Sequence, residues 1–118
     1  MNENLPLTSL VNLENPLDFK EYCDSGGYQG AANALKESPE QVLEIVKQSG
    51  LKGRGGAGFP TGFKWQSCRD AQGDEKYIVC NADEGDAGAY SDRYLLEQRP
   101  HAVLFGMLMA GFLTGANT

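Results

Sequence analysis

GRGGAGFPTGFKW occupies residues 53–65, and four of its first six residues are glycine. Phe59, Phe63 and Trp65 supply rings in the same stretch, and Arg54 and Lys64 supply positive charge. The run formally contains the G-x-G-x-x-G pattern of dinucleotide-binding loops, which needs a strand before it and a helix after it within a βαβ unit. Here a helix precedes it. In SPEQVLEIVKQSG, residues 38–50, Ser38 is placed as N-cap, Pro39 at the first helical position, and Gln41 completes a capping box. Val42, Ile45, Val46 and Ser49 fall on one face, and Gly50 stands where a helix-terminating glycine belongs. A loop that follows a helix is not the Rossmann fingerprint. No Gly-Lys-Ser/Thr follows at the spacing of a P-loop either.

The physics of the loop survives both exclusions. Glycines expose consecutive backbone N–H groups with no Cβ in the way, which suits an anion or a flat ligand lying against the main chain. Arg54 can add a two-pronged phosphate contact, Lys64 a point charge, and Phe59 and Phe63 ring faces for stacking. An ordinary exposed surface loop is the alternative reading of the same residues.

Outward from this loop, residues 1–16 show no period and read as a tail, with a short helix over 17–22 and a turn at DSGGY, residues 24–28. Tyr28, Ala31, Ala32 and Leu35 repeat at helical spacing. Residues 64–69 read as a short helix in which Trp65 packs the core. YIVCN, residues 77–81, is apolar and β-branched and reads as a buried strand. Ser91 can cap a helix running to about Gln98, and Pro100 opens a final apolar helix. Gly106 and Gly111 each cost that helix about 1 kcal/mol relative to alanine, which points to close approach of another backbone, within this chain or outside it. Leu104, Phe105, Leu108, Met109, Phe112 and Leu113 form a stripe that is either core or partner surface.

The predicted strand runs into a second loop, NADEGDAGAY, residues 81–90. Asn81, Asp83, Glu84 and Asp86 gather at the strand's carboxyl end, where α/β proteins hold ligands. Such groups suit sugar hydroxyls and heterocycle N–H groups, and a solvated acidic turn fits them equally well. The spacing is not that of an EF-hand. His101 is the only histidine. Beside Pro100 it reads as a satisfied or solvent-facing ring, and a hydrolytic triad has no support.

A chain of 118 residues is one domain at most. Its 41% hydrophobic and 22% charged residues are those of a globular protein. A net charge of −6 argues against nucleic acid as a partner while leaving room for a small phosphate ligand in a local positive field. Cys23, Cys68 and Cys80 have no CxxC spacing, so no zinc or iron–sulfur site is expected, only free thiols in a reducing compartment. The opening residues lack the pattern of a secretory signal. The longest apolar run, residues 102–113, is shorter than the roughly 20 residues of a membrane span. A soluble, cytoplasmic protein without membrane insertion is expected.

The two loops together resemble one family. GRGGAGFPTGFKW followed by NADEGDAGAYSDR resembles the flavin-carrying, NADH-oxidising subunit of respiratory complex I. The same module occurs in the diaphorase subunit of NAD-linked hydrogenases and the beta subunit of NAD-dependent formate dehydrogenases. The resemblance covers residues 26–115. It implies FMN and NAD(H) as cofactors, with a hydride passing from NADH to the flavin and single electrons going on to iron–sulfur clusters. It implies that Gly53, Arg54, Gly55, Gly56 and Gly58 form the flavin and nucleotide loop, with Lys64 near the flavin. It places Asn81, Asp83 and Glu84 on the flavin, Phe59 as a stacking partner for NADH, and Asp86 at the nucleotide pocket. No side chain serves as a proton base.

Asp86, Ala87 and Ser67 depart from the residues commonest in the family. The implied fold class is α/β: the mostly helical N-terminal portion of an FMN-binding Rossmann-like domain, with one clear strand at about 77–81. Residues 1–25 are then a tail and residues 26–118 the N-terminal part of the flavin domain. The rest of that domain, a ubiquitin-like domain and a [4Fe–4S] domain are absent, and this chain ligates no cluster. The implied partners are the missing C-terminal part and a [2Fe–2S] small subunit, and the piece alone is expected to be inactive. The rival reading is a non-catalytic interaction module that docks through the apolar helix of residues 101–114.

Overall fold

The computed structural model describes residues 17–118, and the tail expected over residues 1–16 lies outside the described residues. Helices α1 (Phe19–Asp24), α2 (Gln29–Ala34), α3 (Pro39–Gln48), α4 (Thr61–Asp70), α5 (Ser91–Gln98) and α6 (Pro100–Thr114) follow one another along the chain. α1 falls within the stretch assigned to the tail and is shifted toward the C-terminus from the expected 17–22. Its capping box explains the start: Asp18 accepts from the Glu21 N–H, and Glu21 accepts from the Asp18 N–H.

α3 starts and stops where its sequence dictates. The Ser38–Gln41 box closes at 3.2 and 3.0 Å, and Gly50 takes the left-handed conformation at φ 72°. The buried face differs from the expected one. Val42 and Leu43 are buried and Val46 packs beside them, while Ile45 is 62% exposed. In α2 likewise, Ala31 and Ala34 are buried and Leu35 points out. The helical period holds, but its phase is set by what lies opposite, which one sequence does not reveal.

The core unites α2, α3 and α6 through Ala34, Val42, Leu43 and Leu113, with Trp65 of α4, Met109 and Phe112 packed against them. α3 and α4 approach closely because Gly62 has no side chain. A Cβ there would lie 2.7–2.8 Å from Lys47 atoms, including its backbone. Arg69, at the end of α4, ties three helices together. One Nη donates to the Leu113 carbonyl of α6 at 3.1 Å and the other to Glu40 of α3 at 2.7 Å. Hydrogen bonding to its own backbone N–H, and then to Arg69, holds the Glu40 carboxyl below the usual carboxylate range.

α6 is apolar all round, so only part of it can be covered by a fold this small. Ala110, Leu113 and Thr114 are buried, while Leu104 and Leu108 are about half exposed. The close backbone approach expected at Gly106 and Gly111 is not found among the described residues. A Cβ at Gly106 would meet nothing, and one at Gly111 would only touch the Ile78 side chain at 3.8 Å. No helix among the described residues is long and apolar enough to cross a membrane.

Residues 77–81 form no strand and are not buried, with Tyr77 and Val79 exposed, and no strand occurs among the described residues. The reason is the lack of a partner. Thr118 N–H donates to the Lys76 carbonyl at 3.2 Å, and Ile78 N–H donates to the Thr118 carbonyl at 2.8 Å. This is the slanted pattern of a parallel pair, with residue 118 opposite residue 77. One rung forms, where a ladder would need several. The path from residue 78 through α5 and α6 to residue 118 has the length a parallel crossover requires.

Candidate functional site

The glycine loop is tied at its neck and open at its tip. Lys52 and Pro60 form an isolated antiparallel bridge, with Gly53 N–H donating to Phe59 and Thr61 N–H to Leu51, both at 2.9 Å. α3 ends just before this neck and α4 begins just after it, so the packed helices fix its position. Within the tip, the N–H groups of Arg54, Gly55, Gly56, Ala57, Gly58 and Phe59 donate no hydrogen bond among the described residues. Gly56 and Gly58 need their residue type for φ values of 105° and 61°. Gly55 does not: its φ is ordinary, and a Cβ on it would meet nothing within 4 Å. Nothing among the described residues requires glycine at position 55, and the space above it is open.

Charge at the loop is unspent. Lys52, Arg54 and Lys64 are exposed, and their side chains have no ion-pair or hydrogen-bond partner among the described residues. Lys47, Arg69, Lys76 and Arg93 are all engaged. Phe59 and Phe63 are also open, at 54% and 56% exposure, although the Lys47 ammonium lies 5.7 Å from the Phe63 ring centre. Unpaired N–H groups, unpaired cations and an empty space above Gly55 are what a phosphate-bearing, flat ligand needs, so the residues present fit such a group.

The acidic loop lies between residues 77–81 and α5. Asn81 Oδ1 accepts from the Asp83 N–H at 2.9 Å, turning the chain sharply. Glu84 reaches forward to α5: its carboxylate accepts from the Asp92 N–H at 2.8 Å, the Ser91 hydroxyl at 3.2 Å and the Arg93 N–H at 3.4 Å. Asp83 and Asp86 are exposed, and their carboxylates have no partner among the described residues. Just before this loop, a hydrogen bond to Glu75 holds the Tyr77 phenol above its usual range.

Each loop is thus locally ordered, but the two are not joined. No hydrogen bond, ion pair or ring contact links residues 53–65 to residues 81–86 among the described residues. A groove of about 550 Å³ lies elsewhere, lined by Leu35, Ile78, Met107, Leu108, Gly111 and Phe112. His101 is a satisfied ring, as its neighbours in sequence implied: Nδ1 is 3.0 Å from the Tyr28 hydroxyl, and Tyr22 stacks on it. Among the described residues, no group of three or more His, Cys, Asp or Glu could hold a metal ion.

Two features are not legible in the sequence pattern. Lys52 stands beside Gly53 and forms the neck, yet it carries no motif of its own. Ser91 is the expected N-cap of α5, but Tyr90 holds that position without a side-chain cap, and Glu84 performs the capping from a distance. Adjacency to the glycines is the signal that could flag Lys52. A cap reaching back over a whole loop leaves no local pattern.

The sequence matches one protein family and several curated relatives. The family described as Nuo51 FMN-binding domain matches residues 46–118. An NADH-quinone oxidoreductase subunit of Rhizobium meliloti is 46% identical over 98 residues, covering 82% of this chain and 23% of that protein. NADP-reducing hydrogenase subunit HndC of Solidesulfovibrio fructosivorans is 47% identical over 102 residues, 86% of this chain and 21% of that protein. NAD-reducing hydrogenase HoxS subunit alpha of Cupriavidus necator is 45% identical over 107 residues, 91% of this chain and 17% of that protein. The chain therefore spans between 17% and 23% of the length of these curated relatives.

Proposed function

The chain belongs to the Nuo51 FMN-binding domain family, and on that premise we propose that it forms one side of the flavin and nucleotide cleft of a longer NADH-oxidising flavoprotein. The observation that carries this reading is the glycine loop. Its tip offers a run of unpaired N–H groups, open space above Gly55, and three nearby cations without partners among the described residues. FMN, when bound, supplies the chemistry, accepting a hydride from NADH and passing electrons on singly.

This chain's own contribution is to bind and orient. Gly53, Arg54, Gly55, Gly56 and Gly58 offer main chain and charge to the flavin and nucleotide. Lys64 adds a cation beside the flavin, and Phe59 a ring face for the nicotinamide nucleotide. Asn81, Asp83 and Asp86 supply the acidic wall, on a loop that Glu84 ties to α5. The names of the relatives support nicotinamide nucleotides as the electron donor or product, and quinone-linked or hydrogenase complexes as the setting.

The proposal extends to fold and partners. The parallel rung between residues 77 and 118 supports residues 77–81 as the first strand of an α/β sheet, continued in a longer polypeptide by residues beyond Thr118. On this reading residues 26–118 open the flavin domain, and the exposed side of α6 is covered by the rest of that polypeptide. A small subunit carrying a [2Fe–2S] cluster is the expected electron partner, with a [4Fe–4S] cluster ligated outside this chain. Three free thiols fit a cytoplasmic setting.

Flavin fluorescence during FMN titration tests the core of the reading. We expect saturable quenching by the wild-type chain, weakened in Gly55→Ala while thermal stability stays unchanged. Equal FMN binding by Gly55→Ala and wild type would contradict it. A cleft with one wall leaves most of the flavin in water, so this chain alone is expected to show no NADH-dependent reduction of ferricyanide.

A further inference from the structure

We propose that Glu84 is a positioning residue: it anchors the acidic loop to α5, and it does not itself meet the ligand. The inference rests on the reading of the two loops as walls of one cleft, and it divides the work within the acidic wall.

Three observations carry it. First, the Glu84 carboxylate is already satisfied, accepting from Ser91 Oγ and from the N–H groups of Asp92 and Arg93. Second, α5 depends on it. Tyr90, at the N-cap, makes no side-chain cap, so without Glu84 the first-turn N–H groups lose their acceptor. Third, Glu84 is partly buried, whereas Asn81, Ala82, Asp83, Gly85 and Asp86 around it are exposed.

The loop is therefore held at two points. Asn81 fixes its entry by accepting from the Asp83 N–H, and Glu84 fixes its exit on α5. Between and beside these anchors, Asp83 and Asp86 keep their carboxylates unpartnered and exposed. Asp83 and Asp86 present charge, and Glu84 sets where they stand. A residue acting this way tolerates loss of its own charge if its acceptor oxygen remains.

That property gives the test. Amide hydrogen exchange at Asp92 and Arg93, and FMN affinity by flavin fluorescence, are measured on wild type, Glu84→Ala, Glu84→Gln and the double variant Glu84→Ala/Tyr90→Ser. In Glu84→Ala, exchange at Asp92 and Arg93 is expected to rise about tenfold, the scale of a lost helix cap, and FMN affinity to fall. Glu84→Gln keeps a carbonyl for the Asp92 N–H and should retain the slow exchange at Asp92 and the FMN affinity, while Arg93, which uses the other oxygen, exchanges faster. Tyr90→Ser offers a hydroxyl at the N-cap and should restore slow exchange and FMN affinity in the Glu84→Ala background.

The proposal is overturned if exchange at Asp92 is unchanged in Glu84→Ala. It is also overturned if Glu84→Gln loses FMN affinity as fully as Glu84→Ala while its exchange at Asp92 stays at the wild-type rate, because the charge itself would then be the ligand contact. If wild type binds no FMN, the reading of the cleft fails, and the exchange measurements still decide whether Glu84 anchors the loop.

Discussion

Arg69 and Arg54 set the helical packing and the glycine loop side by side, because the same side chain is used in opposite ways. Arg69 is spent: it closes the C-terminal end of α6 and pairs with Glu40, bringing α3, α4 and α6 into one unit. Arg54 is unspent, on a loop whose neck is tied and whose tip donates to nothing among the described residues. Lys47 and Lys76 follow Arg69, and Lys52 and Lys64 follow Arg54. The difference teaches that paired charge holds the helices together, while the cations on and beside the glycine loop stay unpaired. Substitutions should therefore separate stability from binding according to region.

The largest effect belongs to the packed side. Leu113 is fully buried, so Leu113→Ala should destabilise the fold by about 2–5 kcal/mol in urea unfolding. Gly62→Ala places a methyl against the Lys47 backbone and should cost about 1–3 kcal/mol in the same experiment. A neutral result would mean that α3 and α4 do not pack as described. Arg69→Ala should cost about 1–2 kcal/mol, since a carbonyl loses its donor and an ion pair is removed. On the open side, Arg54→Ala should leave stability within about 0.5 kcal/mol of wild type.

The smallest effect is one of pH. Because the folded state holds the Glu40 carboxyl below its ordinary range, its contribution is complete above that range and is lost as pH falls through the depressed value. Glu40→Gln should remove that segment of the acid loss, seen as a smaller gap between urea midpoints at about pH 7 and about pH 3. An unchanged gap would mean that the Arg69–Glu40 pair contributes nothing to folding.

The sequence was most readable where short-range chemistry decides. The Ser38–Gln41 box, Gly50 and Pro100 set the ends of α3 and the start of α6 within their own turns. Family resemblance marked both loops. What stayed hidden depends on partners distant in sequence. Whether Ile45 or Leu43 turns inward depends on where α6 lies. Residues 77–81 carry a strand's composition, but a strand also needs a neighbour, and among the described residues 117 and 118 alone supply one. The cap from Glu84 and the cation at Lys52 belong to the same class, since their roles follow from how the chain closes around each loop.

One crossed measurement tests the central claim most directly: FMN affinity and urea midpoint, both determined for Arg54→Ala and Arg69→Ala. The account predicts that Arg54→Ala loses about tenfold or more in FMN affinity, the scale of a charged hydrogen bond, and keeps the wild-type midpoint. Arg69→Ala should lower the midpoint and, below its unfolding range, bind FMN as wild type does. If Arg54→Ala instead binds FMN undiminished, the unpaired charge of the glycine loop has no ligand to meet, and the division between the two regions is wrong.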